Sequence, residues 1–529
     1  MNLRQLTLIA AVCLIATNSR ADFNETLNAQ AGAEYTVPVR PGSEDGTVPF
    51  WNGHAWRYMY APVYDFKPVK GAKSYRHTVM SKDSTFKADF IAGKPSAALT
   101  PIWNQVPVGD CKYTVEALDK KGKTIKVAGE DVFVKEFPFH GPYREKLYSY
   151  DECIKRALNY VHYLPAVRHW DTHDTPDMNY PFNSYLCKII GSTIRHEMLY
   201  VQYYPAEKDT VVKRCRNIAK FIMSQAQPAD APLAYFPPTY YGSNLAAGFP
   251  QNQGKTMTME PIEVVYGFLD LYKACGDRQY LDFVLHIMDT YKKIRRPDGS
   301  YPVKMDLKTG VPVNNAIVSP HAVYFAIERL ENEFGIYDYK DLRLSIEQWA
   351  KENLCKTFDW NSQFEDIPLE NYVPYQNPSN CIAAPWAMIF LRKDNPTKEE
   401  LRYSEDITRF CEDQFVMWGT SKTNGVPDTN IPCAFEQIEW DEPTDASTSY
   451  LILCFALMYK HTGDPLWLAK ANALAANITF VQSKISGMIP TVGWRFDEHI
   501  TQDASQFWIN CSAHTLYALK EFCELTGEQ

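Results

Sequence analysis

The sequence predicts a mainly α-helical protein: an (α/α)6 toroid preceded by a fibronectin type III-like β-sandwich. Three observations carry that expectation. One helix–turn–helix unit occurs twice, short alternating strands crowd residues 50–138, and the chain from Tyr143 onward has helical patterning almost throughout.

The repeated unit spans residues 266–302 and 453–490. In each copy an apolar helix ends in Tyr272-Lys273 or Tyr459-Lys460. A Gly-Asp turn follows at Gly276-Asp277 or Gly463-Asp464, and a second helix closes in a loop with Pro302 or Pro490. Such a unit cannot bury its apolar stripe alone and must stack on neighbours. Extending the pattern gives outer helices near 145–163, 207–226, 278–293, 338–354, 397–416 and 465–483. Inner helices fall near 183–199, 260–274, 320–333, 380–392, 446–461 and 506–525. Six such pairs close a ring; an open helical solenoid is the competing arrangement.

The strand region includes Tyr58–Val63, Lys67–Ala72, Tyr75–Val79 and Lys112–Ala117, with a turn at Asp119–Lys123. Strands and turns at this spacing predict a sandwich. Phe137-Pro138-Phe139-His140-Gly141-Pro142 marks the junction, which divides the chain into a β domain over 22–140 and a toroid over 141–529. Residues 1–21 read as an export signal. Arg4 supplies the positive start, Leu6–Ala16 the apolar run and Ser19-Arg20-Ala21 the cleavage site. That run of about 11 residues is too short to span a bilayer. The expected location is therefore periplasmic or extracellular.

The formal net charge is −9 and no Lys/Arg-rich tract occurs, which argues against nucleic acid as a partner. Aromatic residues make up 14% of the chain, a composition that suits sugar stacking and a large helical core alike. Twelve cysteines remain after cleavage, scattered and without metal-ligand spacing, so buried free thiols are expected and no metal or cofactor is. Asn24, Asn477 and Asn510 each begin an N-x-Ser/Thr sequon. The oligomeric state is open, a homo-oligomer included.

The connections entering the inner helices are long and rich in Pro, Gly, Asn and aromatics: 164–182, 228–258, 295–319, 358–379, 419–445 and 487–505. Those leaving them are short. Long loops in a compact domain usually carry function, and these six should gather at one end of the ring. Polar residues at that end are the candidates. Glu260 opens the second inner helix, His321 the third and Asn380 the fourth, and an acidic run from Glu436 to Asp445 precedes the fifth. Asp503 stands before the sixth.

Cleavage of a glycosidic bond needs two carboxyl groups across it, one to protonate the leaving oxygen and one to activate water or attack. Glu260 and Glu436 are the expected pair, with Asp445 in reserve. Tyr180, Tyr240 and Trp508 are candidates to stack on sugar, and Gln437 to bind a hydroxyl. Arg168 and Arg495 could hold a substrate carboxylate. An elimination or epimerisation at a uronic acid would instead use a His or Tyr base with a neutralising partner. His173, Tyr180, Tyr240, Tyr241, His321, Asn380 and Arg495 offer that set.

The Tyr-Lys-x-x-Gly-Asp unit and the Phe435-Glu436-Gln437…Asp445-Ala446-Ser447 stretch resemble patterns in exported carbohydrate-active toroids of gut-type bacteria. That superfamily includes β-glucuronidases, unsaturated glucuronyl hydrolases, glucuronyl epimerases and polysaccharide lyases. The resemblance covers most of the chain after about residue 50 and implies an oligo- or polysaccharide substrate. The pair of aspartates expected of unsaturated glucuronyl hydrolases is not found. A glycoside hydrolase acting on uronic-acid-containing glycans, β-glucuronidase-like, is the leading expectation. A lyase or uronyl epimerase and a non-catalytic glycan-binding protein are the alternatives.

Overall fold

The computed structural model describes residues 22–361, 373–420, 425–495 and 507–528. The expected export signal and Asp503 lie outside the described residues.

Among the described residues twelve long helices build the C-terminal part. The outer ones are α1 (Tyr150–His162), α3 (Lys208–Gln225), α5 (Arg278–Ile294), α7 (Lys340–Ala350), α9 (Lys398–Phe415) and α11 (Pro465–Val481). The inner ones are α2 (Ser192–Tyr203), α4 (Pro261–Cys275), α6 (His321–Phe334), α8 (Asn380–Leu391), α10 (Asp445–Thr462) and α12 (Ile509–Thr526). Each inner helix packs on the next, and α12 packs back on α2. The ring therefore closes, which rules out the open solenoid.

The repeated Gly-Asp turn has a mechanical explanation. Gly276 and Gly463 end α4 and α10 in the left-handed region, at φ 70° and 69°, where a Cβ would be strained. The following aspartates cap the next helices: Asp277 accepts from the Gln279 N–H and Asp464 from the Leu466 N–H. One dipeptide both stops an inner helix and starts its outer partner.

The N-terminal part differs from the expected sandwich. Its strands β1 (Arg57–Tyr58), β2 (Ser74–Ser81), β3 (Lys87–Ala92), β4 (Gly109–Leu118) and β5 (Thr124–Lys135) form one five-stranded sheet in the order β1-β5-β4-β2-β3. β1 runs parallel to β5, and the other pairings are antiparallel. Lys67–Ala72, read as a strand, is a turn-containing loop. Aromatic coil covers the face where a second sheet would pack. Tyr64 and Phe66 lie on Tyr113, and Tyr58 and Trp103 lie on Phe133.

The sheet and a helix over residues 22–34 dock on the outside of the ring. Arg57 Nη2 donates to the Val416 carbonyl, and the Tyr60 N–H to Asp413 Oδ1. Lys470 on α11, fully buried, bridges Glu412 of α9 at 2.8 Å and Glu34 at 3.0 Å. Tyr35 and Tyr60 donate to the same Glu412 carboxylate.

Among the described residues no helix is long and apolar enough to cross a membrane.

Candidate active site

The described parts of the six loops gather where the inner helices begin, and hydrogen bonds tie most of them to a neighbour around the rim. Leu186 and Tyr241 exchange backbone bonds between the first two, at Leu186 N–H to Thr239 O and Tyr241 N–H to Ser184 O. The Thr258 N–H reaches Val303 O in the third. Asn380 N–H binds Glu436 O, joining the fourth to the fifth, and Asp445 N–H binds Thr491 O, joining the fifth to the sixth. Tyr180 Oη donates to Phe507 O at 2.5 Å, which brings the sixth back to the first.

Within this rim Lys188 is the organising cation. It belongs to an irregular turn just before α2, at residues 186–191, where the sequence pattern suggested regular helix. Its Nζ is 3.8 Å from Glu260 Oε1. It also lies 5.3 Å from the Trp508 ring centre and 5.8 Å from that of Tyr185. Trp508 is partly exposed and packs on Phe182 at 4.3 Å and Tyr185 at 5.3 Å. Tyr240 continues the aromatic wall 6.1 Å from Tyr185.

Glu436 and Asp445 lie near enough to Lys188 for the Cys511 thiol to feel all three. Burial pushes the Cys511 thiol well up, Asp445 and Glu436 add to the rise, and Lys188 opposes it. Burial also raises the Cys381 thiol, with Glu436 adding and Lys188 opposing. Glu260, Lys188, Glu436 and Asp445 therefore converge on one end of the ring. Asp445 is fully buried, and neither of its carboxyl oxygens makes a hydrogen bond of normal geometry with a described residue. The Ala446 N–H and the Thr515 hydroxyl only lean toward it. Burial pushes its pKa up to about 7, and the neighbouring Glu436 contributes.

One helical turn deeper lies a set of groups of which the loop-centred reading of the sequence singled out only His321. Glu263 on α4 pairs with His514 Nε2 on α12 at 3.3 Å and accepts from Ser192 Oγ on α2 at 3.0 Å. Burial alone would raise its pKa, but His514, Arg195 and Ser192 hold it down at about 2. His321 opens α6, with Nδ1 3.1 Å from Ser319 Oγ, which accepts from the Trp386 indole. Burial, with His514 adding, lowers its pKa to about 4, so it is neutral at pH 7. Glu263, His321, Cys381, Tyr450, Cys511 and His514 are partly exposed on helices whose other residues are mostly buried. The axis of the ring is thus reached by solvent and is polar.

Other expected site residues stand elsewhere or are already engaged. Arg168 pairs with Asp171 at 2.9 Å, in a network with Arg214, Glu197 and His162 that ties α1, α2 and α3 together. His173 is exposed and stacks on His169 at 3.8 Å. Tyr180 is buried, with its hydroxyl spent on the rim. Tyr241 packs edge-on against Phe221. Asn380 and Gln437 are buried and hold the Phe435–Gln437 segment. Asn380 Nδ2 donates to Ser447 O, and Gln437 Oε1 accepts from Asn377. Arg495 is paired with Asp441 at 2.9 Å and Glu442 at 3.0 Å, which neutralises its charge. The cation nearest the acids is Lys188.

Twelve cysteines among the described residues are free thiols, and no His/Cys/Asp/Glu group there could hold a metal ion. A surface cleft of about 580 Å³ is lined only by residues between 38 and 98, outside the ring.

No family model and no curated protein matches the chain. Among solved structures, a D-mannose isomerase is similar at 10% identity and a TM-score of 0.50, covering 71% of this chain and 97% of that one. An unsaturated glucuronyl hydrolase specific for heparin aligns at 10% identity and TM-score 0.45, over 71% and 98% of the two chains. A family 76 glycoside hydrolase from a bovine Bacteroides thetaiotaomicron strain aligns at 11% and 0.40, over 85% and 93%. The likeness to the isomerase is one of fold.

Proposed function

We propose that this chain is an exported glycoside hydrolase acting on uronic-acid-containing glycans with β-glucuronidase-like activity. The observation that carries the reading is the convergence at the ring mouth. Lys188 stands beside Glu260 and under the Trp508 ring, and the Cys511 thiol feels Glu436, Asp445 and Lys188 together. Acids from two different inner helices, a cation and an aromatic face meet the needs of a saccharide with a carboxylate.

In this reading Glu436 donates a proton to the glycosidic oxygen as the bond to the anomeric carbon breaks. Glu260 takes a proton from the water that adds there. Asp445, buried behind Glu436, is a positioning residue whose neutral form relieves charge repulsion. Trp508 and Tyr240 stack on the sugar. Lys188 attracts the anionic substrate.

The test is a screen of uronic-acid glycans with products weighed by mass spectrometry. Hydrolysis adds one water to the products. Glu260→Gln and Glu436→Gln should each lower turnover by roughly 10²- to 10⁴-fold. Full turnover in both variants on every cleaved glycan would discard the assignment.

A second reading has its own observation. The His514–Glu263 pair with neutral His321 beside it is a proton-transfer set on the axis, suited to epimerisation or elimination at a carbon next to a carbonyl or carboxylate. Products of unchanged mass, or a new ultraviolet absorbance from an unsaturated sugar, would select it.

A further inference from the structure

Below the mouth, the axis holds a cation whose donors are unspent. Arg195 lies on α2, seven residues beyond Lys188. Its Nε and Nη1 are buried and have no acceptor among the described residues. The guanidinium is clamped between two rings, 4.3 Å from the centre of Tyr517 on α12 and 5.2 Å from that of Tyr266 on α4. Such a clamp holds the plane of the fork in one orientation.

The nearby acids do not fill it. Glu263, whose field reaches Arg195, gives Oε1 to His514 and Oε2 to Ser192. Asp270 is taken by Arg329 at 2.6 Å and by the Tyr517 hydroxyl at 3.2 Å. A fixed guanidinium on a partly exposed side chain, with two buried nitrogens that meet no acceptor among the described residues, is a receptor for an anion such as a carboxylate.

Depth defines what can reach it. Tyr266 lies six residues past Glu260 on the same helix, so at about 1.5 Å per residue the guanidinium is roughly 9 Å below the mouth acids. That distance accommodates one sugar ring. On the next turn one ion pair spans non-neighbouring inner helices and another links two neighbours beside it. Asp270–Arg329 joins α4 to α6, and Arg392–Glu521, at 2.6 Å, joins α8 to α12. A polysaccharide cannot thread through such a floor.

We infer that Arg195 is the carboxylate receptor for a single terminal uronic acid inserted into the ring, which makes the site exo-acting. The exo-cleavage part rests on the hydrolase reading above; the binding part does not.

The experiment titrates D-glucuronate, D-glucose and D-glucose 6-phosphate into the full chain by calorimetry at low ionic strength. Wild type should prefer glucuronate over glucose by roughly ten- to a hundredfold, the range expected of a charge-assisted contact. Arg195→Met should lose that preference and keep its affinity for glucose. Arg195→Lys should recover part of it. If Arg195→Met fails to fold, judged by its melting curve, Arg195→Gln and Arg195→Lys carry the comparison.

Equal affinity of wild type for the two sugars overturns the inference, and so does a preference that survives undiminished in Arg195→Met or Arg195→Gln. Glucose 6-phosphate binding tightly, with glucuronate no better than glucose, also overturns it. An Arg195-dependent preference in a protein that cleaves no glycan would sink the hydrolase and leave the receptor standing.

Discussion

Asp445→Asn should change how stability depends on pH. The carboxyl is fully buried at the start of α10 without a normal hydrogen bond to a described residue, and its pKa is about 7 against an ordinary 3.8. The folded state therefore binds a proton more tightly than the unfolded chain. Between about pH 4 and 7 the native protein holds that proton while the unfolded chain has released it, so stability falls as pH rises through this window and levels off above it. The shift is about 3 units at about 1.36 kcal/mol each, which makes the full effect on the order of 4 kcal/mol. Asn has the same shape and does not titrate. Urea unfolding of both proteins at intervals from pH 4 to 9 measures the difference. The variant should gain on wild type steadily up to about pH 7 and hold its lead beyond. Parallel curves would refute the argument, because they would mean that Asp445 is ionised as easily in the fold as in water.

Lys470→Met should destabilise the protein by about 3–5 kcal/mol, read from the urea midpoint, because it leaves the buried Glu412 and its neighbour Glu34 without their shared cation. Glu263, held at about 2 by His514, Arg195 and Ser192, contributes stability above its unfolded value near 4.5 that is lost as pH falls toward 2. Glu263→Gln should flatten that acid limb in a thermal-melt series. Trp508→Ala should weaken glycan binding by about 0.5–1.5 kcal/mol in calorimetry. Tyr180→Phe should leave glycan affinity unchanged and cost about 1 kcal/mol of stability, since its hydroxyl serves only Phe507 O.

The ring was legible in the sequence because its signals are local. Gly276-Asp277 and Gly463-Asp464 announce a stop and a start within two residues, and apolar periodicity does the rest. The β part was misread for the opposite reason. Alternation in Tyr75–Val79 and Lys112–Ala117 identifies strands, but nothing local says whether the covering layer is a second sheet or aromatic coil. Tyr64, Phe66 and Trp103 supply that layer from segments with little regular structure, beside Tyr58 at the sheet's short β1.

The site was half legible. Glu260, Glu436 and Asp445 stand at helix starts beside long loops, where function is usually sought. Lys188, Arg195, Glu263 and His514 stand within or beside helical turns and look like ordinary solvated residues in a list. Their signal lies in spacing. Glu260, Glu263, Tyr266 and Asp270 recur every three or four residues on α4, and Cys511, His514, Tyr517 and Glu521 do so on α12. An outer helix may carry such a stripe toward water. An inner helix of a closed ring has no outward face, so a polar stripe on it can only point at the axis. Once the sequence implies the ring, that stripe names the lining of the cavity, and Arg195 on the matching face of α2 belongs to it for the same reason.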